Sequence, residues 1–517
     1  MKTLQGAFGT AKADFLGRTR KFSFAVFAAL LVFTVFWFIP KPAGNSFSAM
    51  VIEPNRILQA SDPSWMPMSA AMCGGMFLCL LGFVYVKNTV RHDYELGIFS
   101  FVQVSPMKRS AYAFGKFFSN ALLLLLFLGV IMISSFFTME ISFPGKLISP
   151  YAFFTPFLCV VPGLLFVAAF AVLTDCAPAF RKSSGLSIAV FLIFGILILT
   201  LACFNINPYH ITSIFDMSGF LWMRSSISDA ARAVTGQPVN KISILTNSCT
   251  NSTNLKALAF GGLTPSTVFL IDKLMMIAVS LLLVFAASLM LPQSQKASVA
   301  SSKPQSGKRK AVPASIPNLS LGLTRREASI LLGGMPVFWW VTAVCFWIAN
   351  WFSPMDTVRS ALFALAFVWM LPVFAKMGCL EHQTGMLTIL RTIPSAPVRQ
   401  AFSCWRTGLA ISLITGLPVL VRLFFSANPI DFISALVFTF LVPSAALFFG
   451  EWSGTNRVFE VFFLVLCFLA INMPQIVFPG HFFTFSAVLR ILGTIVVFVV
   501  MLFFTFAKRL SSHSNAA

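Results

Sequence analysis

Histidine, cysteine and the carboxylates could serve as bases, nucleophiles or metal ligands, and in this sequence none of them is spaced for that work. The five histidines (His92, His210, His382, His481 and His513) are scattered, and no His-Glu-x-x-His or Gly-x-Ser-x-Gly segment occurs. The ten cysteines include no Cys-x-x-Cys pair with metal-ligand spacing. A nucleotide-cradling Gly-x-x-x-x-Gly-Lys-Ser/Thr loop is absent as well. Gly115-Lys116-Phe117 lacks both the preceding glycine and the hydroxyl. The chain is therefore expected to be no enzyme, to hold no cofactor or metal, and to leave any ATP hydrolysis to another subunit.

What recurs instead is a charged segment. Arg91-His92-Asp93-Tyr94-Glu95-Leu96-Gly97 leads through Val104-Ser105-Pro106-Met107-Lys108-Arg109 to Gly115-Lys116. Much later, Cys379-Leu380-Glu381-His382-Gln383-Thr384-Gly385 leads through Thr392-Ile393-Pro394 to Val398-Arg399 and Arg406. From glycine to proline is nine residues in both, and a basic residue follows each proline. Recurrence at one spacing in two places favours a duplicated domain over coincidence.

The elements that must carry these segments are apolar. Of the 517 residues, 57% are hydrophobic and only 10% charged, which excludes an ordinary soluble protein. Twelve stretches approach the length of a membrane-crossing helix. They are 22–39, 68–86, 117–137, 152–174, 185–204, 274–291, 335–352, 360–375, 407–425, 433–449, 461–477 and 491–507. Pro40-Lys41-Pro42 offers no small-x-small cleavage site, so the first reads as a retained anchor.

The net charge of +21 would suit a nucleic-acid partner in a soluble protein, but here it orients the chain. With the N-terminus inside, 26 of the 37 Lys and Arg fall in inside segments, while the 16 acids divide evenly. That bias supports twelve spans, both termini in the cytosol, contact of basic segments with membrane lipids, and no nucleic acid. None of the carboxylates sits near the middle of a span, so the machinery of an ion-coupled carrier is not visible. Cys203 and Cys249 are the cysteines that could meet an oxidising space, as a pair or as two thiols.

The expected organisation is an interfacial helix in 1–21, a first six-span domain in 22–291, a basic linker in 292–322, a second six-span domain in 323–507 and a tail in 508–517. The basic linker contains Lys308-Arg309-Lys310. Residues 13–20 and 323–331 mix bulky apolar residues with arginines, as a helix lying in the membrane interface does. Within the first domain the outer loop 205–273, with its polar stretch 247–253, has no counterpart in the second. It reads either as a cap or partner contact or as a surface loop.

An acid-x-Gly segment followed by a proline and basic residues before the third span resembles the permease subunits of the ABC-2 class of ATP-binding-cassette transporters. The chain looks like two such domains fused. The first segment matches better, since Gln383 stands where the first has Glu95. The resemblance implies an all-α polytopic protein of the bacterial cytoplasmic (inner) membrane, with two six-helix repeats and two separate ATPase subunits docking on loops 87–116 and 376–406. It implies charged contacts from Glu95, Lys108, Arg109 and Arg399, with Lys116 closing the first coupling loop, Gln383 at the acid's position and Gly97, Pro106, Gly385 and Pro394 shaping the turns. The same resemblance implies transport of cargo outwards. A twelve-span secondary carrier is the alternative, although the Gly-x-x-x-Asp-Arg/Lys-x-Gly motif of the major facilitator class is not matched between the second and third spans. A membrane assembly subunit without transport is a third reading.

Overall fold

A computed structural model describes residues 2–20, 22–38, 49–53, 57–58, 63–95, 97–104, 107–146, 148–177, 183–203, 215–235, 241–246, 260–291, 319–386, 390, 396–426, 429–472, 477–479 and 485–514. The chain forms two compact units. One comprises Met1–Arg181 and Leu192–Ala297, the other Lys182–Phe191 and Ser298–Ala517.

The elements up to the end of the first unit are α1 (Lys2–Thr19), α2 (Phe22–Phe38), β1 (Ala49–Glu53), β2 (Ile57–Leu58), α3 (Trp65–Val86), α4 (Thr89–Glu95), α5 (Ile98–Val104), α6 (Arg109–Ser142), α7 (Pro150–Cys176), α8 (Ser183–Cys203), α9 (Phe220–Thr235), β3 (Lys241–Thr246) and α10 (Thr267–Met290). Helix α3 is apolar on every side, and all of its residues but Cys73 and Tyr85 are buried, so it forms the axis of this unit's core. Helices α6 and α7 pack on it. α7 starts at Ser149, whose hydroxyl accepts from the Ala152 N–H at 3.2 Å, and Pro150 needs no helical partner for the N–H it lacks. α10 has two faces. Phe269, Met276, Val284 and Ala287 are buried at helical spacing, while Leu270, Leu274, Leu282 and Phe285 are exposed. Apolar side chains left outward along a whole helix suit a hydrocarbon surrounding.

The segment expected as a loop at 205–273 carries ordered structure. Asp216 accepts from the N–H groups of Phe220 and Leu221, both at 2.9 Å, and so caps α9. The Lys273 ammonium donates to the Asp216 main-chain oxygen and lies 3.9 Å from its carboxylate. Lys273 therefore engages the segment before α9. The Trp222 indole donates to the Thr264 carbonyl (2.9 Å) and the Tyr151 hydroxyl to that of Leu263 (2.7 Å). Three antiparallel strands in the order β2-β1-β3 pair Ile52 with Ile57 and Ile52 with Ile242. Cys249 lies outside the described residues, as does the side chain of Cys203. The linker is described only from residue 319 on.

The second unit contains α11 (Leu319–Leu332), α12 (Val337–Phe352), α13 (Met355–Thr357), a π-helix (Val358–Leu362), α14 (Phe363–Trp369), α15 (Leu371–Phe374), α16 (Leu380–Gln383), α17 (Ala396–Phe425), α18 (Pro429–Ser453), α19 (Arg457–Asn472) and α20 (Phe485–Ser514). The stretch expected as one span at 360–375 is broken. It begins in the π-helix and turns again at Met370, where Pro372 cannot donate to the preceding helix. Phe363, Phe367 and Phe438 pack as a ring cluster, with centroids 5.1 to 5.6 Å apart.

Among the described residues seven helices are long and apolar enough to cross a membrane, and eight if the pair Leu323–Leu332 and Val337–Phe352, bent by 103°, is one span. The protein is a multi-pass helical membrane protein. The stretches expected at 22–39, 185–204, 360–375 and 461–477 are not among these seven; helix covers 22–38, 183–203 and 457–472 of the chain, and 360–375 is broken.

Candidate functional site

Both recurrent segments fold into a short helix followed by a glycine with left-handed backbone. Gly97 follows α4 at φ 72°, and Gly385 follows α16 at φ 70°. The N–H of Gly97 donates to Tyr94 O (3.1 Å) and that of Gly385 to His382 O (3.4 Å). A Cβ at either position would meet nothing within 4 Å, so the demand for glycine is one of backbone conformation and not of space.

Each short helix is fastened to the C-terminal end of a long helix by a buried carboxylate. In the first unit Asp175, near the end of α7, accepts from the N–H groups of Asn88 (2.9 Å) and Val90 (3.1 Å) and from the Thr89 hydroxyl (3.3 Å). It thereby caps α4 and holds Asn88 at a positive φ of 65°. In the second unit Glu451, near the end of α18, ion-pairs with Arg509 of α20. Arg509 also reaches Glu381 of α16 at 2.5 Å. The His382 ring nitrogen Nε2 lies 3.4 Å from Glu451 Oε1. Arg509 is only 1% exposed, and a guanidinium so deep requires this pairing.

A second fastening ties the N-terminal helix of each unit to the helix after the segment. Lys116 of α6 lies 3.1 Å from Asp14 of α1 and 2.8 Å from Asp93 of α4. Asp14 also pairs with Arg18 (2.5 Å) and accepts from the Ser119 hydroxyl (2.7 Å), while Asp93 accepts from the Tyr112 hydroxyl (2.6 Å). Burial pushes the Asp14 carboxyl up, but Arg18 and Lys116 outweigh it and hold the group below its ordinary range. The helices approach closely at Gly115, where a Cβ would collide with the Thr10 hydroxyl and lie 2.8 Å from the Ala7 carbonyl. In the second unit α11 meets α17 through hydrogen bonds from Gln400 to Glu327 and from Arg406 to Thr324. Burial raises the Glu327 carboxyl, a shift opposed by Gln400 and reinforced by Glu381.

The segment residues divide by exposure. Lys108, Gln383, Gly385, Arg399 and Gly97 are exposed. Lys116 is 4% exposed and occupied by two carboxylates. Arg109 donates to the Leu291 carbonyl at 3.1 Å, just past the end of α10. Glu95 ends α4, but its side chain lies outside the described residues, as do Pro106 and Pro394 altogether. Asp14, Asp93, Asp175, Glu381, Glu451 and Arg509 are the functional candidates that the sequence did not single out. The visible signal was local for Asp14 alone, which stands four residues before Arg18 in a helix. Among the described residues no group of three or more His, Cys, Asp or Glu side chains could hold a metal ion.

The arrangement can transmit force. A displacement of α4 would load α7 through Asp175 and α1 through Asp93, Lys116 and Asp14. A displacement of α16 would load α18 and α20 through Arg509. No known family, curated protein or solved structure matches this chain.

Proposed function

We propose that this membrane protein is the permease of an ATP-driven transporter of the ABC-2 kind. In this reading, twelve spans in two six-helix halves move a substrate, by export, across a bacterial cytoplasmic membrane. Both termini lie in the cytosol, and two separate ATPase subunits dock on loops 87–116 and 376–406. The observation that carries the reading is the paired design of those loops. Each has a short helix, a left-handed glycine at the matching position, and a buried carboxylate joining the short helix to the end of a long one. A loop fastened in this way moves helices when it is pushed, and transport needs only two helix arrangements whose balance a partner's nucleotide cycle biases.

The exposed cations Lys108 and Arg399 are the contacts offered to the partner. Arg109 and Lys116 support the loop from within. Reversing Lys108 and Arg399 together to glutamate is expected to abolish co-purification of a phosphate-loop ATPase while leaving membrane insertion intact. Undiminished co-purification would remove the docking assignment. If no such ATPase accompanies the wild-type chain, and collapse of the proton gradient stops cargo movement, the carrier reading replaces this one.

A further inference from the structure

Helix α11 runs at 103° to α12, so it lies along the membrane surface when α12 crosses the bilayer. Between them Gly334 takes a φ of 79°, and the Lys376 ammonium donates to the Leu331 carbonyl at 3.1 Å and the Gly333 carbonyl at 3.4 Å. Arg325, Arg326, Ser329 and Ile330 are exposed on one side of α11, while Glu327 and Leu331, four residues apart, are buried on the other. Glu327 is 8% exposed, and the Gln400 amide of α17 donates to its carboxylate. Among the described residues no lysine or arginine pairs with it and no other group donates to it. The neighbouring cations are engaged elsewhere: Arg406 of α17 with Thr324, Lys376 with the two carbonyls, and Arg509 of α20 with Glu381 and Glu451. The charge that acts on Glu327 is that of Glu381 on α16, which has its own sign, and the Cys404 thiol of α17 lies within range of both acids.

We propose that Glu327 is a reversible proton site that clasps α11 to α17 when the proton is bound and releases it when the proton leaves. A buried carboxylate stays ionised only where a cation or several donors replace the water it has given up, and Glu327 has one amide. A proton taken from water forms an O–H bond on the carboxylate, removes its charge and ends the repulsion from Glu381. The bond to Gln400 survives, since a neutral carboxyl still accepts from an amide. The first unit shows the opposite arrangement. Asp14 of α1 has Arg18 and Lys116 beside it and is held below its ordinary range, whereas Glu327 has no cation and is raised above its ordinary value of 4.5. A raised carboxyl contributes its full stabilisation below the ordinary value and loses it as pH rises through the folded one. The clasp on α11 therefore tightens on acidification, where that on α1 slackens. Proton binding at Glu327 does not require the transporter reading, because it rests on contacts within the second unit alone.

The test follows amide hydrogen exchange, corrected for intrinsic rates, in the purified full chain between about pH 4 and 8. In the wild type, exchange across α11 is expected to be slow at the acid end and to rise as Glu327 loses its proton. Glu327→Gln keeps the shape of the side chain without its charge. It should be flat across the range and exchange about fivefold more slowly than wild type at the alkaline end, the scale of one unmade buried hydrogen bond. Two further variants read the site with Glu327 in place. Glu381→Gln removes the like charge and should move the rise to lower pH, while Gln400→Met removes the donor to the carboxylate and should move it to higher pH. A merely structural loosening would not shift the midpoint in opposite directions. A flat wild-type profile, exchange that slows toward alkaline pH, a rise that survives in Glu327→Gln, or a midpoint that the other two variants leave in place would overturn the assignment.

Discussion

Replacing Lys116 by methionine should loosen α1 from α6 by about 3 kcal/mol. Removing one partner of a buried ion pair costs roughly 3 to 5 kcal/mol, because the remaining charge is stranded away from water. The lower end applies here, since both stranded carboxylates keep other partners. Asp14 retains Arg18 at 2.5 Å and Ser119 at 2.7 Å, and Asp93 retains Tyr112 at 2.6 Å. Methionine preserves most of the buried stem, so packing loss is small. A change of about 3 kcal/mol is about 150-fold in the docking equilibrium. Amide hydrogen exchange reads it directly. Protection across residues 6–18 should fall by about that factor, while that of α3, buried in the core, stays constant. Adding Asp14→Asn should restore part of the loss, because the double variant no longer buries an unpaired charge. Equal α1 exchange in wild type and Lys116→Met would refute the inference that this pair fastens the helix.

The pH dependence of the same clamp has a definite sign. The folded carboxyl of Asp14 is held below its ordinary value of 3.8, so its contribution is present above that value and is lost as pH falls through the lower, folded one. Exchange in α1, corrected for intrinsic rates, should be flat from pH 7 to about 4.5, and a loss centred near pH 6 would contradict the ordering. Asp175→Ala should leave the N–H groups of Asn88 and Val90 without their acceptor, at about 1 to 3 kcal/mol each, and speed exchange in residues 88–95 with α7 unaffected. Glu451→Gln should destabilise the α16 region by about 3 kcal/mol, and adding Arg509→Met should recover part of it. Absence of recovery in exchange or thermal melting would count against the pairing. Gly97→Ala and Gly385→Ala should each cost about 1 kcal/mol through backbone strain alone, read as faster local exchange. Gly115→Ala should disturb α1 docking more than either, because the added methyl meets Thr10 and the Ala7 carbonyl.

Helix positions were legible because a bilayer demands long apolar runs, and the runs at 68–86, 117–137, 152–174, 274–291, 407–425, 433–449 and 491–507 became long helices. The two glycines were legible because they recur at one spacing from a proline, a signal independent of what surrounds them. The carboxylates that fasten the short helices were not. Asp175 acts on residues 85 to 87 positions away, and Arg509 meets Glu451 from 58 away, separations at which sequence carries no pairing signal. The direction each cation takes was not legible either. Lys116 and Arg109 stand among basic residues that suit a partner, yet local pattern says nothing of which way a cation turns. The structure in 205–273 escaped notice because α9 is a half-polar helix anchored by Asp216 and Lys273, not by an apolar run.

The π-helix at Val358–Leu362 sets the rotational phase of everything after it. A π turn accommodates one more residue than an α turn, and each α-helical residue advances by about 100°, so the extra residue turns the following helix by that angle. In the phase that results, Phe363 and Phe367 face Phe438, and the Trp369 indole reaches the Trp339 carbonyl at 3.0 Å. Deleting any one residue from 358–362 would let the turn relax to α geometry, and the residue lost would cancel the turn regained, so those rings would keep their phase. A deletion in the α-helix that follows has no wide turn to absorb it and would swing the rings beyond it off the core by about 100°.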